Sequence, residues 1–334
     1  MTARARFEQQ LAALDALREN ASSPATLEAL RRALANRNNF LAGKAARLAA
    51  EFRLSALIPD LLSALQRFYV DPVKTDPQCW AKMALAAALS GLGYQESVPF
   101  LRGLGHVQME PVWGGQEDTA AGLRGACAAA LVECRDIGDH ALLSHLLEVL
   151  VDPNTKVRIE AARAIGRLNR PEAGLLLRLR ILGGDPEPEA LGACFAALLA
   201  VEGQSAIGFV SRFLDSRGDD ASEAALALGL MRDPEAVQVL LERWRRERRA
   251  DFADTLLSAL ALSRQQPAID FLLGLISADD GGAASAVGAL AAAGLPPSLH
   301  PQIETAVERS GNPELRAAFS KSFGSQQGQA QQKS

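Results

Sequence analysis

One stretch limits what this chain can fold into more than any other: DPNTKVRIEAARAIGRLNRPEAGLLLRLRIL, Asp152 to Leu182. It has the marks of a helical hairpin. Asp152 is a good N-cap, because its carboxylate accepts from the free N–H groups of a first helical turn. Pro153 fits just inside that start, where no N–H is needed. Val157, Ala161, Ile165 and Leu168 then fall on one helix face. Pro171 breaks the helix, and Leu175, Leu176, Leu179 and Leu182 restart the period and predict the apolar face of a partner helix.

Weaker copies of this stretch run along the chain. Helices are predicted from about Leu41 to Phe52, Leu57 to Tyr69, Pro77 to Leu92 and Val98 to Leu104, then from Thr119 to Cys134 and His140 to Leu150. Later copies open near Pro188, Asp219, Asp251, Gly282 and Pro313, with partners near Ala206–Leu214, Glu235–Arg248, Ala268–Ile276 and Leu299–Arg309. Gly166, Gly229 and Gly288 each stand two residues before an equivalent apolar anchor, Leu168, Met231 and Leu290. The anchors recur at one or two units of about 30–33 residues, which for paired helices means an α-solenoid. Residues 1–38 read as N-terminal capping helices, 39–320 as the repeat array, and 321–334 as a low-complexity disordered tail.

At this point DPNTKVRIEAARAIGRLNRPEA resembles a HEAT repeat of the short bacterial type, first named from phycobilisome bilin lyases. The copies at Asp219 (DDASEAALALGLMRDPEAVQVLL) and Asn312 (NPELRAAF) match in part, and the likeness spans roughly residues 40–320. It implies an all-α, right-handed α-solenoid of about eight or nine helical hairpins, a HEAT-like superhelix with a concave binding face. A shared fold of this kind hosts many functions.

Composition removes several of them. Of 334 residues 48% are hydrophobic, mostly Ala and Leu, and only 5% aromatic, which suits close helix packing and predicts no sheet. Net charge is −4, with pI near 5.7, against bulk nucleic-acid binding. The same balance opposes an alkylpurine glycosylase, whose groove in this repeat class is strongly basic. Deoxyhypusine hydroxylase-like relatives hold two irons with His-Glu dyads, but none of His106, His140, His145 and His300 is followed by Glu. Cys79, Cys127, Cys134 and Cys194 form no paired CxxC set and read as small buried residues of a reducing cytosol. With no signal peptide, no apolar run long enough to span a membrane and no nucleotide loop or catalytic triad, the expectation is a cytoplasmic protein with no catalytic residue, cofactor or metal.

Three features depart from the repeat. Gly105–Asp118 reads as an irregular loop of about fourteen residues, long for such a hairpin. It gathers His106, Glu110, Trp113, Glu117 and Asp118. Loops on a rigid scaffold carry recognition, whereas the structural alternative buries Trp113 on a neighbouring hairpin. Trp244 and Arg245 lie in an arginine-rich helix that could meet an acidic surface, or simply be solvated. Lys44, Lys82, Arg124 and Arg158 occupy equivalent positions; they either present a basic ladder to an acidic partner or tie neighbouring hairpins by pairing with the capping Asp. The function expected is a non-enzymatic scaffold binding a protein or peptide on its concave surface. The alternative is a lyase-type modification factor acting on a protein-bound group, by analogy with the bilin lyases.

Overall fold

The structure, a computed structural model, describes residues 2–330. It divides into two compact units, residues 1–165 and 166–334. The first contains α1 (Ala3–Ala16), α2 (Pro24–Leu34), α3 (Asn39–Glu51), α4 (Ile58–Phe68), the single turn α5 (Pro72–Thr75), α6 (Trp80–Gly91) and α7 (Val98–Leu104). Strands β1 (Met109–Val112) and β2 (Gly115–Asp118) follow, then α8 (Ala121–Leu131), α9 (Asp139–Leu150) and α10 (Thr155–Gly166), which ends at the boundary. The second contains α11 (Pro171–Gly183), α12 (Pro188–Glu202), α13 (Ile207–Ser211), α14 (Asp219–Met231) and α15 (Pro234–Arg246). It continues with α16 (Ala250–Ser263), α17 (Gln266–Ser277), α18 (Ala283–Ala292), α19 (His300–Ser310) and α20 (Pro313–Ala330).

Each unit is a stack of helical hairpins, an α-solenoid arrangement. In unit 1 the helices pair in sequence as α2/α3, α4/α6 and α7/α8, and in unit 2 as α11/α12, α13/α14, α15/α16, α17/α18 and α19/α20. The second members are the alanine-rich helices, and they also pack on one another, α3 on α6 on α8 and α12 on α14 on α16 on α18 on α20. Alanine permits this, because a methyl group holds two helix axes close without an intervening side chain. Partner helices supply the larger fillers, such as Leu61, Leu65 and Phe68 of α4, each worth about 1.5–3 kcal/mol when buried.

The Asp152–Leu182 stretch folds differently in two respects from its sequence reading. The helix after Asp152 starts at Thr155, and Asn154 Oδ1 accepts the Lys156 N–H at 3.0 Å. Asp152 stands two residues before that cap position: its Oδ1 accepts the Asn154 N–H at 2.8 Å, and its two oxygens also take Arg124 (2.8 and 3.0 Å). In α11 the buried face is Ala173, Gly174, Leu177 and Ile181, while Leu175, Leu179 and Leu182 are 68, 68 and 62% exposed. Both leucine sets obey a helical period, and periodicity alone cannot tell which face meets the stack.

Two of the three equivalent glycines mark close approaches within unit 2. A Cβ on Gly166 would lie 2.9 Å from Ala197 Cα, and one on Gly229 would lie 2.3 Å from the Ala259 carbonyl oxygen. Gly288 meets nothing within 4 Å. One stretch, Pro188–Asp215, is long and apolar enough to cross a membrane by length and composition. It is interrupted at Gly203, where φ is +59°, and α12 spends its apolar residues on α11 and α14. The tail expected from residue 321 falls partly on α20, whose backbone runs to Ala330; residues 331–334 lie outside the described ones.

Candidate docking hairpin and its anchor

The Gly105–Asp118 segment is not an irregular loop. Its last ten residues form an antiparallel β-hairpin with Met109 opposite Asp118, Glu110 opposite Glu117, Pro111 opposite Gln116 and Val112 opposite Gly115. Trp113 and Gly114 form the turn, and Gly114 supplies the left-handed residue, φ +91°, that a two-residue connection needs. The expectation of no sheet fails here for a physical reason. MEPV and GQED have neither alternation nor β-branched runs, so side-chain preference does not make them strands. A two-stranded ribbon is marginal alone, and this one is held from its base.

The base is a buried polar network. Glu110 is buried, and its Oε1 accepts from the Gln78 N–H (2.6 Å), Gln108 Nε2 (2.6 Å) and Thr119 Oγ1 (2.8 Å). Burial works to raise the Glu110 pKa, but the bonds from Gln108, Thr119 and the Gln78 amide outweigh it and hold the carboxyl below its ordinary value. Gln108 Nε2 also donates to the Asp76 carbonyl at 2.9 Å, and the Thr119 N–H donates to the Gln108 carbonyl at 2.9 Å. Asp118 Oδ1 accepts the N–H groups of Gln108 and Ala120, both at 3.0 Å. Asp118 thus ties the hairpin to the residue just before α8, and Thr119, where the sequence starts that helix, faces the hairpin instead.

Glu110 also clamps an unusual backbone. Gln78 and Cys79 are consecutive non-glycine residues in the left-handed region, φ 59° and 56°. Such a conformation costs roughly 1–2 kcal/mol per residue and persists only where the surroundings fix it. Here Glu110 holds the Gln78 amide, and the Asp76 carboxylate takes the N–H groups of Ala81 (2.8 Å) and Lys82 (2.9 Å) beyond the kink.

The four basic residues of the ladder are fold ties rather than a surface stripe. Lys82 is wholly buried, with Nζ 3.0 Å from Asp76 Oδ2 and 3.3 Å from the Phe68 carbonyl. Buried Arg124 grips Asp152 with two nitrogens, reaches Asp118 at 2.6 Å and donates to the His106 carbonyl at 3.0 Å. Buried Arg158 donates to the carbonyls of Asp152 (2.8 Å) and Pro153 (3.1 Å). Lys44 is part-exposed and paired with Asp15. A removed water shell and an occupied partner leave the first three no charge to show a ligand. The tie to a capping Asp is therefore the reading that holds for Lys82 and Arg124, whose partners Asp76 and Asp118 stand six positions before them.

Of the other candidates, Trp113 is fully exposed at the hairpin tip, at 103% of its reference area. Glu117 is exposed beside it. Half-buried His106 packs edge-on against Tyr69 at 5.0 Å and lies 3.2 Å from Gln108 Oε1, and burial lowers its pKa. Trp244 lies in unit 2 and packs edge-on against Phe271 at 5.0 Å, whereas Arg245 is exposed at the end of the same helix. Nearby Glu247 is gathered in by Arg243 (2.8 Å) and Arg249 (3.1 Å). Among the described residues no three His, Cys, Asp or Glu side chains are grouped to hold a metal ion. Burial pushes the Cys79 thiol up to about 12, away from the range of a reactive thiolate.

No family model matches the chain, and no curated protein matches it. Among solved structures it is similar to one from the complex of CpcE and CpcF of phycocyanin lyase from Nostoc sp. PCC7120, at 17% identity and TM-score 0.36, covering 69% of this chain and 89% of that one. It is also similar to an engineered protein, at 18% identity and TM-score 0.35, covering 94% of each chain. At these values the similarity is one of helical build and says nothing of activity. The resemblance to HEAT-like repeats stands on the chain's own stacked hairpins.

Proposed function

We propose that the protein is a binding scaffold that docks a protein partner through the β1–β2 hairpin, with Trp113 as the anchor. The observation that carries this is an indole standing fully exposed on a short, pre-ordered tip whose base is fixed by buried hydrogen bonds. Exposed aromatics on rigid supports make strong anchors, because binding gains their apolar area without ordering a loose segment. Val107, Met109 and Val112 are also about half exposed on the same segment and extend the apolar contact. The rival reading, a lyase-type modification factor, draws no support from structures this distant.

The test is affinity capture from the native host with wild type and Trp113→Ala side by side, followed by mass spectrometry. A protein retained by wild type and lost by the variant, with unchanged circular dichroism and Tm, supports the reading. Identical captures overturn it. A chromophore absorbing in the visible that stays with the purified protein would replace the scaffold with the modification factor.

A further inference from the structure

A second feature of unit 1 shares no residue with the hairpin. Helices α1 and α3 and the start of α6 enclose a groove of about 410 Å³. Its walls are aromatic: Phe7 meets Phe40 edge-on at 6.4 Å, and Phe40 meets Trp80 at 5.3 Å. Trp80 is fixed from behind, its Nε1 donating to Gln78 Oε1 at 3.0 Å. Phe40 remains 48% exposed, so its face is not consumed by packing.

The groove is also cationic. Lys44 is neutralised by Asp15, and Arg18 by Asp15 (2.7 Å) and Glu51 (2.9 Å). Arg47 is different. It is exposed, its guanidinium lies 5.5 Å from the Trp80 ring centroid, and it pairs with no carboxylate among the described residues. An arginine laid against an indole keeps its N–H edge free, and that edge matches a carboxylate with two parallel hydrogen bonds. A site for a free small molecule buries most of its ligand. Here Phe40 and Arg47 form an open rim, so one large side chain can enter while the chain that bears it stays outside.

We propose that this groove binds a peptide segment in which a large apolar side chain adjoins a carboxylate. The apolar side chain enters between Phe7, Phe40 and Trp80, and the carboxylate meets Arg47. The inference is independent of the hairpin reading.

The three tryptophans give three indole N–H signals in a ¹⁵N-labelled sample, assigned through Trp80→Phe and Trp113→Phe. The probe is acetyl-Gly-Glu-Phe-Glu-Gly-amide, with Lys in place of both Glu as one control and free 2-naphthoate as the other. The expected result is a saturable shift of the Trp80 signal below about 1 mM peptide, with the Trp113 signal still. The Lys peptide and the Arg47→Glu variant should each weaken binding by about tenfold or more. Arg47 is exposed, so its variant keeps the fold, and Phe40→Ala tests the apolar wall separately. A silent Trp80 signal, equal binding of the Lys peptide, an unaffected Arg47→Glu variant, or naphthoate binding as tightly as the peptide would each overturn the proposal. Failure here leaves the capture difference at Trp113 untouched, so the two readings fail separately.

Discussion

Replacing Glu110 by Ala removes the one oxygen on which three donors converge, at 2.6, 2.6 and 2.8 Å. Two of those donors keep a second acceptor. Gln108 Nε2 still reaches the Asp76 carbonyl at 2.9 Å, and Thr119 Oγ1 still reaches the Gln108 carbonyl at 3.2 Å. The Gln78 N–H has no replacement, and it belongs to a residue held at φ 59°. A stranded part-buried donor costs about 1–3 kcal/mol, and hydrogen bonds to a charged acceptor contribute about 1.5–3 kcal/mol each. With the two retained acceptors counted against the loss, the local cost is about 3 kcal/mol, or roughly a hundredfold in the opening equilibrium. Hydrogen exchange read by mass spectrometry measures it directly. Peptides covering residues 76–80 and 105–119 should lose about two decades of protection, while helices of unit 2 keep theirs. Gln116→Ala, on the exposed part of the same hairpin, should change nothing beyond about 0.5 kcal/mol. Equal protection in Glu110→Ala and Gln116→Ala would refute the reasoning, because the hairpin would then stand without its anchor.

Acidification should release the same element. The folded-state pKa values of Glu110 and Asp118 lie below their ordinary values, so the unfolded chain binds more protons and stability rises with pH. Their contribution is complete above the ordinary carboxylate range, about pH 5, and is lost as pH falls from there through the lowered folded values; exchange protection of 105–119 between pH 6 and 3 should follow that course and lose part of it in Glu110→Gln. Lys82→Ala leaves the wholly buried Asp76 carboxylate without its cation and should lower stability by about 3–5 kcal/mol, seen as a large fall in Tm. Gly229→Ala drives a methyl group against the Ala259 backbone and should cost more than about 1–3 kcal/mol by thermal unfolding, whereas Gly288→Ala, with open space around it, should be neutral or slightly stabilising.

The stack itself was legible because each repeat needs the same few things: an apolar face, small residues where helices touch, and a helix stop. Val157, Ala161 and Ile165 fell where the period placed them. The period did not say which of two apolar stripes on α11 faces the core, and Leu175, Leu179 and Leu182 stood out as the stronger pattern while Ala173, Leu177 and Ile181 are the buried set. A run of leucines is conspicuous to the eye, but burial is decided by what stands opposite, and that is a long-range property. The charged positions were legible as a set and ambiguous in role. Lys82 and Arg124 look like any exposed base until Asp76 and Asp118, six residues earlier, are seen as their partners.

The hairpin was the least legible part, and the reason bears on function. Its strands have no strand-forming composition, and its stability is borrowed from Asp76, Gln78, Gln108 and Thr119, which lie in the turns of two successive hairpins, α4/α6 and α7/α8. Nothing in a regular repeat needs these bonds, since among the described residues the other helical hairpins of either unit turn without a β-ribbon. Two left-handed residues at Gln78 and Cys79 and a buried carboxylate each carry a cost that a plain short loop would avoid. What that cost secures is a fixed position for a fully exposed indole at one end and for Trp80 at the other, because Gln78 gives its N–H to Glu110 and its side-chain oxygen to Trp80. A strained, polar anchor that holds two tryptophans, one at the hairpin tip and one in the wall of the cationic groove, is a costly device for packing and a fitting one for recognition.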